Sequence, residues 1–141
     1  MQAIIPYITF KGECKEAMEF YAKCLNGQIE MVSTFSEMKM EVADEFKDKI
    51  MHAVLKAGDL TLMFSDTVQA MEGTIKGNSI SLSLNFDDIE TLQKTFDALA
   101  EDGKITMPLQ DTSWGAHFGM LSDKYGYHWM FNYDYPNVDS K

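Results

Sequence analysis

Three histidines, His52, His117 and His128, are the side chains best suited to proton transfer or metal ligation near neutral pH. The chemistry they would support is an imidazole base, or two imidazoles and a carboxylate around a divalent cation. No H-x-H or H-E-x-x-H run occurs, so each also reads as an independent polar residue near a strand end. Strand alternation puts His128, Met130 and Asn132 on the expected cleft face, and is compatible with His52, Val54 and Lys56 facing the same cleft. Of the three, His52 is the strongest candidate for a site. The chain holds 11 methionines, and Met63 and Met130 read either as core fillers or as a soft floor for an apolar or aromatic ligand. Trp114, beside Gly115, reads equally as a packing residue or as the edge of a binding site. Cys14 and Cys24 fall in one expected helix, about 15 Å apart along its axis, too far for a disulfide. They are expected as free, reduced thiols, the usual state in the cytosol.

Composition narrows the function classes. A net charge of -10 over 141 residues repels nucleic acid and anionic membrane surfaces. No apolar run is long enough to span a bilayer. No basic segment followed by an apolar one marks a signal peptide, so a cytoplasmic location is expected. There is no P-loop, no dinucleotide glycine fingerprint, and no strand leading into a glycine-rich turn that would hold S-adenosylmethionine.

The elements that position these residues repeat. Ile4, Ile8 and Phe10 recur as Ile80, Leu84 and Phe86, and Phe20, Ala22, Gly27 and Ile29 recur as Phe96, Ala98, Gly103 and Ile105. Leu62-Met63-Phe64 matches Trp129-Met130-Phe131 at a shorter offset. In the first copy, residues 3–10 read as a strand with Pro6 at an edge or bulge. A helix over 13–25 follows, striped by Ala17, Phe20, Tyr21, Cys24 and Leu25. Gly27 is expected at its left-handed C-cap. A strand at 28–35, a charged loop at 36–50, and strands at 51–57 and 60–65 around Gly58-Asp59 complete the copy. Residues 66–78 read as a linker.

The second copy opens on a strand at 80–86. Asp87 with Glu90 forms an expected capping box. Ile89, Leu92, Phe96 and Leu99 stripe the helix, which Gly103 ends. Strands follow near 104–108, 116–122 and 127–133, the last two joined by Asp123-Lys-Tyr-Gly126 with positive φ at the glycine. The tail from Pro136 is polar. The expected architecture is α+β: one domain of two βαβββ modules, about 1–66 and 79–135, forming a curved mixed sheet around a cleft. In it Phe20 would superpose on Phe96 and Met63 on Met130.

Paired βαβββ modules resemble the vicinal oxygen chelate superfamily, which includes glyoxalases, bleomycin-resistance proteins and extradiol dioxygenases. The likeness is to its PhnB-like branch. It is carried by Pro6-Tyr7-Ile8-Thr9-Phe10, Glu16-Ala17, Phe20-Tyr21 and Gly27, then Gly103-Lys104-Ile105, Trp114, Phe118-Gly119, Asp123-Lys124-Tyr125-Gly126 and Trp129-Met130-Phe131-Asn132. The resemblance implies a divalent metal held by His or Gln on the first strand and Glu on the last strand of each module. Here the glutamate positions fall on Met63 and Met130 and the first-strand positions near Tyr7 and Ser83. None is a strong ligand for a hard cation.

Two functions compete. One is a small-molecule binding protein with no metal and no cofactor, its ligand contacts drawn from Tyr7, His52, Met63, Ser83, Trp114, His117, His128 and Met130. The other is a metal-dependent lyase, isomerase or dioxygenase built on the three histidines. The resemblance also implies a homodimer with a two-fold interface.

Overall fold

The structure, a computed structural model, describes residues 1–67 and 76–136. The chain divides into two compact units at residues 74 and 75. Each unit contains the element order βαβββ. Most of the expected linker and all of the tail beyond Pro136 lie outside the described residues.

The first module runs β1 (Tyr7–Phe10), α1 (Cys14–Cys24), β2 (Gln28–Thr34), β3 (Ile50–Ala57) and β4 (Leu60–Asp66). Its sheet has the order β1-β4-β3-β2, with β1 parallel to β4 and the other pairs antiparallel. The first strand is shorter than the expected 3–10. Pro6 has no N–H to add to a ladder, and its carbonyl instead accepts from Met63 N at 3.0 Å just ahead of β1. The charged stretch at 36–50 contains a short 3₁₀ turn at Asp44–Phe46.

The second module runs β5 (Leu82–Asn85), α2 (Ile89–Leu99), β6 (Lys104–Asp111), β7 (Ala116–Ser122) and β8 (His128–Asp134), with sheet order β5-β8-β7-β6. Strand β5 also begins later than expected, and Ile80 is exposed. Asp123 is buried at the β7–β8 turn. It accepts from Tyr125 N, Tyr127 N and Trp129 Nε1 at 2.8, 3.1 and 2.8 Å, and Gly126 takes φ +88° as expected.

In each module one sheet face is covered by the helix. Under α1, Ile8, Phe10, Ala53, Leu55, Leu62 and Phe64 are buried, and Tyr21 stacks on Phe64 at 5.8 Å. Under α2, Leu121, Trp129 and Phe131 are buried, and Phe96 meets Phe131 edge-on at 5.0 Å. The ring that packs as Phe96 does is therefore Tyr21, and the expected Phe20–Phe96 match is off by one residue. Phe20 is only half-buried; Cys14, Ala17, Met18, Tyr21 and Cys24 form the buried stripe.

Three local expectations are corrected. Asp88, not Asp87, caps α2, accepting from Thr91 N at 2.7 Å and from the Thr91 hydroxyl at 3.0 Å, so Thr91 stands where a capping-box glutamate was expected. The left-handed residue after α1 is Asn26 (φ +52°), not Gly27, and after α2 it is Asp102 (φ +57°). The glycines serve close approach instead. A Cβ on Gly27 would lie 2.8 Å from the carbonyl oxygen of Lys56, and one on Gly103 would overlap that of Ser122.

Candidate functional site

Alternation along the strands sends every second side chain to the face away from the helix. In the first module these are Tyr7 and Thr9 on β1, His52 and Val54 on β3, and Met63 and Ser65 on β4. Met63 is in direct register with Tyr7 on one side and Val54 on the other. The Tyr7 hydroxyl lies 2.8 Å from His52 Nδ1, and the two rings stack with centroids 5.6 Å apart. Partial burial raises the phenol above its ordinary acidity range, partly offset by a hydrogen bond with the Ser65 side chain. Tyr7 is still 51% exposed.

The second module repeats the pattern with different chemistry. Met130 is in register with Ser83 and Met120. Phe64 and Phe131 are equivalent, and their partners are Ala53 and Gly119. His52 and Phe118, one residue earlier, therefore occupy equivalent positions. Trp114 is 71% exposed and meets Phe118 edge-on at 6.5 Å. His128 shares the Met130 face, and its Nε2 donates to the Gly77 carbonyl at 3.2 Å. At the end of β5 and β8, Phe86, Asn132, Tyr133 and Asp134 line an open depression of about 400 Å³.

His117 points to the other side of its sheet. Its Nδ1 donates to Asp111 Oδ1 at 2.9 Å, and the Tyr135 hydroxyl donates to the same oxygen at 2.6 Å. These two donors hold the Asp111 carboxyl below its usual range, the tyrosine contributing most. The carboxylate in turn raises the Tyr135 phenol. Sequence reasoning missed Asp111 and Tyr135, because neither carries a spacing signal toward His117.

Each histidine thus has its own surroundings: Tyr7 for His52, Asp111 for His117, Gly77 for His128. Among the described residues no three His, Cys, Asp or Glu side chains are grouped to hold a metal ion. The register places Tyr7 beside Met63 and Ser83 beside Met130. The positions that the resemblance assigns to metal ligands therefore carry, within each module, one neutral oxygen and one thioether. Neutral oxygens and soft sulfurs do not fit a hard divalent cation.

The chain belongs to the glyoxalase/bleomycin resistance protein/dioxygenase superfamily, whose family model matches residues 4–131. It is 31% identical over 137 residues to the protein YjdN of Escherichia coli (strain K12), covering 90% of this chain and 92% of that one. Protein PA1353 of Pseudomonas aeruginosa has the same fold, with 39% identity, a TM-score of 0.83 and coverage of 96% of this chain and 100% of its own. The PhnB protein of Bacillus cereus is similar at 28% identity and a TM-score of 0.76, over 94% of this chain and 99% of its own. No helix among the described residues is long and apolar enough to cross a membrane.

Proposed function

We propose that this chain is a PhnB-like small-molecule binding protein. It takes an apolar or aromatic ligand on the helix-free sheet face of a module and works without the superfamily's usual metal. The observation that carries this reading is the placement of Met63 and Met130 at equivalent central positions of that face in each module, each in register with a neutral oxygen donor. A thioether is polarizable and adaptable, suited to aromatic contact rather than to a hard cation. The Bacillus cereus neighbour supports the branch. Methyl transfer, the activity in that neighbour's name, finds no support here, because among the described residues no strand leads into a glycine-rich turn for S-adenosylmethionine. The metal-dependent alternative would need a site built from His52, His117 or His128, and their separate partners weigh against it.

Fluorescence titration with 2-ethylnaphthalene tests the reading. Saturable binding to metal-free protein is expected, weakened by Met63→Glu or Met130→Glu. Elemental analysis of untagged protein finding about one metal per chain, lost in His52→Ala, would establish the alternative instead. We also propose a two-fold homodimer, since the edge strand β2 exposes Met31 and Val32. Sedimentation giving only the 16.0 kDa monomer at micromolar concentration would overturn that part.

A further inference from the structure

The two modules differ most at one pair of equivalent positions. Where the second has Ser83 and Phe118, the first has Tyr7 and His52, joined by a hydrogen bond of 2.8 Å and stacked at 5.6 Å. A phenol holds its proton at neutral pH. A neutral imidazole has one donor and one acceptor nitrogen. With the Tyr7 O–H donating, Nδ1 is the acceptor and Nε2 carries the proton. Besides His52, Tyr7 is hydrogen-bonded to the Ser65 side chain, and His52 Nε2 has no protein acceptor among the described residues.

We infer that the Tyr7–His52 pair is a ligand-binding subsite: an Nε2–H donor, fixed in tautomer and orientation by the phenol, for the carbonyl oxygen of an uncharged, otherwise apolar ligand on the first module's open face. Fixing the donor in advance removes the cost of selecting a tautomer and a ring orientation on binding. Met63 and Val54, in register with one another on the same face, offer apolar contact to the rest of such a ligand. The net charge of -10 disfavours an anionic ligand, which singles out a ketone, aldehyde or quinone oxygen over a carboxylate. Phe118 at the equivalent position offers no donor, so the second module lacks this subsite.

The inference rests on the binding function proposed above, and two probes of nearly equal shape separate their failures. 2-Acetylnaphthalene carries the carbonyl and 2-ethylnaphthalene does not. Wild-type protein is expected to bind the ketone about tenfold more tightly, the size of one well-made hydrogen bond. His52→Phe should bring the two affinities together while keeping that of the hydrocarbon. His52→Gln, which restores an N–H, should recover part of the preference. Tyr7→Phe should lose part of it, because the ring is then free to take either tautomer. Equal binding of both probes to wild type, or a preference that survives His52→Phe, overturns the subsite and leaves the binding function standing. Binding of neither probe overturns both. Imidazole ¹⁵N shifts of the ligand-free protein give a readout that needs no ligand. They are expected to show Nε2 protonated in His52, and protonation at Nδ1 would overturn the inference.

Discussion

The carboxylate of Asp66 caps the helix that begins at Cys14, reaching it from the far end of the module. Asp66 Oδ1 accepts from Cys14 N at 3.0 Å and Gly12 N at 2.8 Å, and Oδ2 accepts from Ile50 N at 3.0 Å. Glu13, the residue preceding α1, makes no capping hydrogen bond with its own side chain. One buried aspartate thereby ties the loop after β1, the start of α1 and the start of β3 to the end of β4. Asp66→Ala is expected to strand these donors and cost about 2–4 kcal/mol, since each unsatisfied buried N–H costs about 1–3. Urea denaturation followed by circular dichroism measures it. A loss no larger than that of a surface substitution would remove Asp66 from this role.

Gly27 and Gly103 are expected to resist even a methyl group. Backbone carbonyls stand where each Cβ would go, so Gly27→Ala and Gly103→Ala must push β3 or β7 aside. Overpacking of this kind costs about 1–3 kcal/mol. Gly58→Ala is the control: no atom lies within 4 Å of its Cβ position, and only its φ of +59° opposes the change. Alanine at 27 or 103 should therefore lower the thermal midpoint more than alanine at 58.

The Asp111–Tyr135 contact gives a pH window. The folded pKa of Asp111 is depressed, so its contribution is fully present above the unfolded value of about 4 and is lost as pH falls through the folded value. That of Tyr135 is raised, so its contribution is present below about 10 and is lost as pH rises through the folded value. Tyr135→Phe should accordingly lower the melting temperature by a small, constant amount between about pH 5 and 9. The gap should close in stronger acid. A difference that persists at pH 2 would show that the tyrosine acts through packing alone.

Cys14 is expected to be inert. It is fully buried, and burial, then the Asp66 and Glu13 carboxylates, push its thiol up to about 12. In a Cys24→Ala background, iodoacetamide at pH 8 should label Cys14 only as fast as the protein unfolds. Labelling at the rate of a free thiol would show that the start of α1 opens locally.

The sequence legibly encodes what depends on neighbours in the chain. The period-2 runs of β4 and β8, the 3.6-period stripe of α2 and the turn glycines Gly58 and Gly126 set local backbone and facing. The repeat then makes both modules βαβββ. The local pattern leaves one residue of ambiguity where two adjacent candidates satisfy it equally: Phe20 or Tyr21 under the sheet, Asp87 or Asp88 at the cap, Asn26 or Gly27 in the left-handed position. Packing against the sheet chooses between them. Tyr21 reaches Phe64, and Gly27 has to pass the carbonyl of Lys56. The Tyr7–His52 hydrogen bond and the Asp66 cap span 45 and 52 residues of chain. No spacing encodes them, because they exist only once β1 lies parallel to β4 with Tyr7 beside Met63, and burial of the helix-covered face fixes that register.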